Sequence, residues 1–155
     1  MAQLISEVLQ ALDAAKTEQE KQDVLRQNDS QVLRTIMRLN FDPMLWMDLP
    51  PGEPPYKKDL DKPMGYHETN LQVEFKRFYI WLTPQPNLSK FKKESLFVGL
   101  LESLHWTEAE VMVLAKDRKL HTKYKTLTED LVRSVYDGCL TPKDQVPEEL
   151  AIPLE

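Results

Sequence analysis

Leu96-Phe97-Val98-Gly99-Leu100-Leu101-Glu102-Ser103-Leu104-His105-Trp106-Thr107-Glu108-Ala109-Glu110-Val111-Met112-Val113-Leu114-Ala115 is the stretch on which the fold class turns. Leu96, Phe97, Leu100, Leu101 and Leu104 recur at steps of three and four, the spacing of one buried helix face. Ser89 is placed to open that helix. Gly99 inside it costs about 1 kcal/mol against alanine, which predicts the close approach of a neighbouring helix. Thr107-Glu108-Ala109-Glu110 has the capping-box pattern and predicts a fresh start, with Val111, Met112, Leu114 and Ala115 as the next buried face.

The same grammar extends in both directions. Leu4, Ile5, Val8, Leu9 and Leu12 form one stripe, and Thr17-Glu18-Gln19-Glu20 caps a second helix buried through Val24 and Leu25. Asn28-Asp29-Ser30 stops it and caps a third, carried by Val32, Leu33, Ile36 and Met37. Leu71, Phe75, Phe78, Tyr79 and Leu82 make an aromatic stripe after Asn70, and Thr128 caps a last helix carrying Leu131, Val132, Val135 and Tyr136, closed by Gly138. Pro50, Pro51, Gly52, Pro54, Pro55, Pro63 and Gly65 interrupt the pattern, so residues 50–69 read as an extended surface connection. The expectation is an all-α fold of about seven short helices in two packed halves, 1–49 and 70–140, in a single domain 1–140 followed by an acidic, Pro-containing tail 141–155.

Composition narrows the function classes. Hydrophobic residues at 41% and charged residues at 29% allow a real core and exclude a disordered tail. Twenty basic against 25 acidic residues leave a net charge of −5, which argues against a general nucleic-acid coat protein. The start Met1-Ala2-Gln3-Leu4 lacks a basic segment before an apolar core, so no secretory signal is expected, and no apolar run is long enough to span a membrane. The single cysteine, Cys139, excludes an internal disulfide and a cysteine-built zinc site.

Motifs of chemistry are missing. His67, His105 and His121 are the only histidines and stand beside different elements. No His-Glu-x-x-His motif, calcium loop or glycine-rich phosphate loop occurs, since Gly52, Gly65, Gly99 and Gly138 lie far apart. Acidic pairs such as Glu108 with Glu110, or Glu129 with Asp130, fall in first helical turns, where they complement the helix dipole. Cys139 follows a helix end, the wrong terminus for an activated thiolate. No catalytic residue, metal site or cofactor is expected.

Charge is more informative. Lys116, Arg118, Lys119, Lys123 and Lys125 stand together against Asp117, with Tyr124 interleaved, and Lys90, Lys92 and Lys93 form a second cluster. Such a basic, aromatic-bearing loop can track a phosphate backbone, with Tyr124 stacking on a base. The last 19 residues oppose it with Asp137, Asp144, Glu148, Glu149 and Glu155 against Lys143. A different class of function, docking on a protein through apolar surface, has Met44, Trp46, Met47 and Trp106 as anchors.

Two resemblances bear on these alternatives. Leu4 to Leu9, Thr17 to Asn28, Val32 to Ile36, Leu49 to Tyr56 and Leu100 to His105 resemble an uncharacterised family of short proteins in T-even-like phages of marine bacteria, over most of the chain to about Asp137. Val111 to Leu120, followed by Leu131 to Leu140, resembles the end of the all-helical N-terminal DNA-binding domain of T-even-type ATP-dependent DNA ligases. There a glycine-containing turn links the two helices near the DNA backbone, whereas here His121 to Thr126 holds no glycine; no Lys-x-Asp-Gly adenylation motif occurs, which excludes ligase activity. The resemblances imply a non-enzymatic phage accessory protein. It would dock on DNA or a DNA-bound assembly such as a clamp, replisome or polymerase, in the host cytoplasm. The alternative is a minor virion component or an inhibitor of a host protein.

Overall fold

Side-chain caps start most helices where the sequence places them. In the computed structural model, which describes residues 4–58, 60, 69–82 and 87–145, the Thr17 hydroxyl accepts from the Glu20 amide at 3.1 Å, Ser30 from Leu33 at 3.1 Å and Asn70 from Val73 at 3.0 Å. Ser89 accepts from Lys92 at 3.1 Å and Thr128 from Leu131 at 3.2 Å. Each cap satisfies an amide that the helix itself leaves without an acceptor. The helices are α1 Ile5–Ala14, α2 Glu18–Gln27, α3 Gln31–Phe41, α4 Leu71–Glu74, α5 Tyr79–Leu82, α6 Lys90–Ser103, α7 Trp106–Lys116, α8 Leu120–Lys123 and α9 Glu129–Val135, with 3-10 turns at Phe75–Arg77 and Lys143–Gln145. No strand occurs among the described residues, and the fold is all-α.

The helix count exceeds expectation for two reasons. The stripe from Leu71 to Leu82 is broken by the 3-10 turn between α4 and α5, which shifts its phase. Leu71, Phe78 and Trp81 therefore face the core, while Tyr79 is exposed. The Trp81 indole N–H donates to the Lys93 carbonyl at 3.0 Å, and its ring meets Phe78 and Phe97 edge-on. The second addition is α8, a single turn within the basic segment.

Central to the fold is α7, which packs against α1, α3, α6 and α8. Val111, Met112 and Ala115 are fully buried, in one apolar cluster that runs from Ile5 to Leu140. This helix does not begin at Thr107. His105 caps it, its Nδ1 accepting from the Thr107 amide at 3.3 Å, and the Thr107 hydroxyl bonds the Ser6 hydroxyl at 2.9 Å and His105 Nδ1 at 2.8 Å. Starting early puts Glu108 at the third helical position and turns it inward. Its Oε2 accepts from the Ile5 amide at 2.9 Å and its Oε1 from the Leu71 amide at 3.1 Å. Ile5 and Leu71 are the first residues of α1 and α4, so one buried carboxylate supplies acceptors to two other helix starts.

Two more buried polar side chains tie loops to this core. Asn40 Oδ1 accepts from the Leu120 amide at 2.9 Å. Asp42 accepts from the amides of Met44 at 2.9 Å and Thr141 at 3.0 Å, and from the Thr141 hydroxyl at 2.9 Å. Burial alone would raise the Asp42 carboxyl; these donors and the Arg38 guanidinium outweigh it and hold the group below its ordinary value. The segment from Pro50 to Lys58 lies across α6 and α7: the Gly52 amide donates to the Asp117 carboxylate at 3.2 Å and the Lys57 amide to Glu102 at 2.7 Å. His67 lies outside the described residues, as does the rest of the connection at 59 and 61–68 and the tail from 146.

Gly99 is a correction. It faces solvent, and a Cβ built there meets nothing within 4 Å, so no neighbour requires the glycine. Replacing Gly99 with alanine is expected to stabilise the protein by about 0.5–1 kcal/mol, read from denaturant unfolding, because only the backbone entropy of the unfolded chain changes.

Glu108→Ala, by contrast, strands two buried amides and is expected to cost about 2–5 kcal/mol. Burial pushes the Glu108 carboxyl above its ordinary value, aided by the Glu7 charge and opposed by the two amide donors. A raised folded-state value gives a contribution that is complete below the unfolded value of about 4.3 and lost as pH rises through the folded one. Urea midpoints for wild type and Glu108→Ala are therefore expected to lie furthest apart below about pH 4.3 and to approach each other as pH rises.

Candidate functional site

The basic segment begins at the end of α7, where the chain must reverse. Arg118 adopts φ 60°, the left-handed region that favours glycine. Its amide donates to the Ala115 carbonyl at 3.1 Å and the Lys119 amide to the Leu114 carbonyl at 2.8 Å, the paired bonds of a Schellman ending. Arginine stands here because its guanidinium reaches the carbonyls of Asp42, at 2.8 Å, and Leu45. Those two charge-assisted bonds hold the segment after α3, and burial lowers the Arg118 value against the pull of Asp42.

Lys116 is also turned to the fold. Its side chain is almost fully buried, and its ammonium donates to the carbonyls of Pro50 at 2.8 Å and Gly52 at 3.0 Å and to Asp117 at 2.6 Å. Tyr124, at 3% exposure, is packed into the core with no partner for its hydroxyl among the described residues, and burial, with Asp13 nearby, pushes that hydroxyl up. Lys123 is ion-paired with Glu110 and lies over the rings of Trp106 at 5.8 Å and Tyr124 at 5.7 Å; partial burial lowers its value. Lys119 and Lys125 are exposed. The six residues thus do not share one open face: Lys116, Arg118 and Tyr124 serve the interior, Lys123 is engaged, and two lysines face solvent. In the second cluster Lys93 is buried against Asp48 at 2.6 Å, which holds that carboxyl below its usual range, while Lys90 and Lys92 are exposed.

The apolar anchors divide in the same way. Met44 and Trp46 are exposed, Trp46 to 58%; Met47 is buried in the core and Trp106 is half-buried beneath Lys123. Sequence reasoning missed Phe91. It is 80% exposed in the first turn of α6, on the rim of a groove of about 350 Å³ walled by Leu49, Pro50, Pro54 and Pro55 on one side and Phe97 and Val98 on the other. The available signal was phase: Phe91 falls off the stripe of Phe97, Leu100, Leu101 and Leu104, between two lysines. The Cys139 thiol donates to the Arg34 carbonyl at 3.5 Å, and burial raises it, the opposite of an activated thiolate. Among the described residues no group of three histidine, cysteine or acidic side chains is placed to hold a metal ion, and no helix is long and apolar enough to cross a membrane.

These features define an all-helical protein with an apolar groove beneath a proline-rich strap and isolated lysines around it. The chain belongs to the Family of unknown function (DUF6433), whose model matches residues 8–122. It matches no curated protein and no solved structure.

Because Arg118 is strained in backbone but bonded in side chain, two substitutions separate the effects. Arg118→Ala is expected to cost about 2–4 kcal/mol, having lost both charged bonds and kept the strain. Arg118→Gly is expected to recover about 1 kcal/mol of that, measured by equilibrium unfolding.

Proposed function

We propose that this protein is a non-catalytic accessory protein that docks on a protein partner through the groove between the proline-rich strap and α6. What carries the reading is Phe91, a large aromatic at 80% exposure on the lip of an apolar groove, which the core does not use. The exposed Lys90 and Lys92 flank it in sequence, while the groove itself carries one carboxylate, Glu94, and the engaged Lys116, so the fitting partner segment is apolar. Trp46 and Met44 extend the apolar exposure on the loop after α3. The resemblance to short phage proteins makes the proposed setting the cytoplasm of an infected cell, with the virion as the alternative.

Docking directly on DNA, or on a DNA-bound clamp, replisome or polymerase, is the second reading. Its support is the exposure of Lys119 and Lys125, the two lysines of the basic segment that the interior does not use.

Tagged protein recovered from infected cells, with and without nuclease, distinguishes the two. The groove reading expects one partner to survive nuclease, to be lost with Phe91→Asp and to be kept by Lys119→Glu/Lys125→Glu. Loss on nuclease and in the double lysine variant, with Phe91→Asp unaffected, overturns it in favour of DNA.

A further inference from the structure

A second cleft, of about 510 Å³, opens where α3 ends against α8 and the start of α9, and is lined by Phe41, His121, Thr122, Lys125, Leu127, Thr128 and Glu129. Its imidazole, that of His121, is set by a bonded chain that begins in the core. The Leu120 amide can only donate, so the Asn40 atom 2.9 Å from it is the carbonyl oxygen. The other end of that side chain is therefore the NH2 group, and it donates to His121 Nδ1 at 3.3 Å. A ring nitrogen that accepts carries no proton, so in the neutral ring the proton sits on Nε2. Asn40 is completely buried, which gives this orientation a rigid source, and the Phe41 ring stacks at a tilt on the imidazole, centroids 5.8 Å apart.

Two further donors border the same cleft. Lys125 is exposed, with no ion pair or hydrogen bond from its side chain among the described residues. The Thr128 oxygen accepts from the Leu131 amide, which leaves its hydroxyl proton for a ligand. The one carboxylate, Glu129, is held by the Arg133 guanidinium at 2.8 Å. Phe41 and Leu127 supply the apolar part of the lining. A lining with one lysine and one carboxylate beside the imidazole and hydroxyl suits a single negative charge better than a phosphate dianion.

We propose that this cleft binds a small amphipathic carboxylate, its anionic end held by His121 Nε2–H, Lys125 and the Thr128 hydroxyl and its apolar body over Phe41 and Leu127. The site is independent of the groove beside Phe91.

The test uses the full chain and 4-phenylbutyrate as the probe, followed by amide and imidazole NMR. Saturable shifts are expected at His121, Lys125 and Thr128, with long-range nitrogen couplings placing the neutral ring proton on Nε2. Lys125→Met, a change at an exposed side chain, is expected to weaken binding about tenfold, the weight of one charge-assisted bond. His121→Phe, its fold checked by circular dichroism, is expected to weaken it similarly. The uncharged 4-phenylbutanol is expected not to saturate the site. An equal response to the alcohol, tighter binding of inorganic phosphate, a proton on Nδ1, or no saturable shift with the carboxylate would each overturn the proposal.

Discussion

A buried carboxylate surrounded by helix starts governs this architecture. Glu108 leaves the first turn of α7 and accepts the leading amides of α1 and α4, bringing together residues 103 and 37 positions apart in the chain. Each of those amides needs an acceptor, and in a dry interior water cannot serve. One side chain with two oxygens meets both requirements, and so sets where the starts of α1 and α4 sit against α7. The Ser6–Thr107–His105 hydroxyl and imidazole chain beside it fixes the same junction from the other face of the turn.

The positive charges of the 116–125 segment show how composition and surface differ. A lysine or arginine is costly to bury unless its donors find acceptors: all three of the Lys116 ammonium do, and the Arg118 guanidinium places two of its five on backbone carbonyls. Lys116 closes the proline-rich strap onto α7, and Arg118 closes the loop after α3 onto the turn that follows α7. The strap in turn forms one wall of the groove that Phe91 overlooks, so part of the basic cluster builds the apolar surface. Part of the charge that reads as a binding face along the chain, that of Lys116 and Arg118, is spent on the chain's own carbonyls.

Much of the fold was legible because helix starts and stripes are local. Thr17, Ser30, Asn70, Ser89 and Thr128 each accept the amide their spacing predicts, and Val32, Leu33, Ile36 and Met37 are all buried. Thr107 was misread since its pattern matches a capping box, while the competing cap, His105, is recognised only once Ser6 arrives to take the Thr107 hydroxyl. Tyr124 and Met47 looked available because neither lies on a clear stripe; both join the one apolar cluster that runs from Ile5 to Leu140. The candidate surfaces were legible only in part. Trp46 was recognised, but Phe91 becomes notable only when the strap is seen to form a wall beside it.

By itself the chain's order of residues determined that it would be helical, where most helices begin and which faces turn inward, since caps and periodicity act within four or five residues. Only the tertiary structure decided which polar and charged groups stay free. Glu108, Asn40, Asp42, Lys116 and Arg118 each find at least one partner more than thirty positions away, and no local pattern reports a hydrogen bond that exists only after the helices have packed.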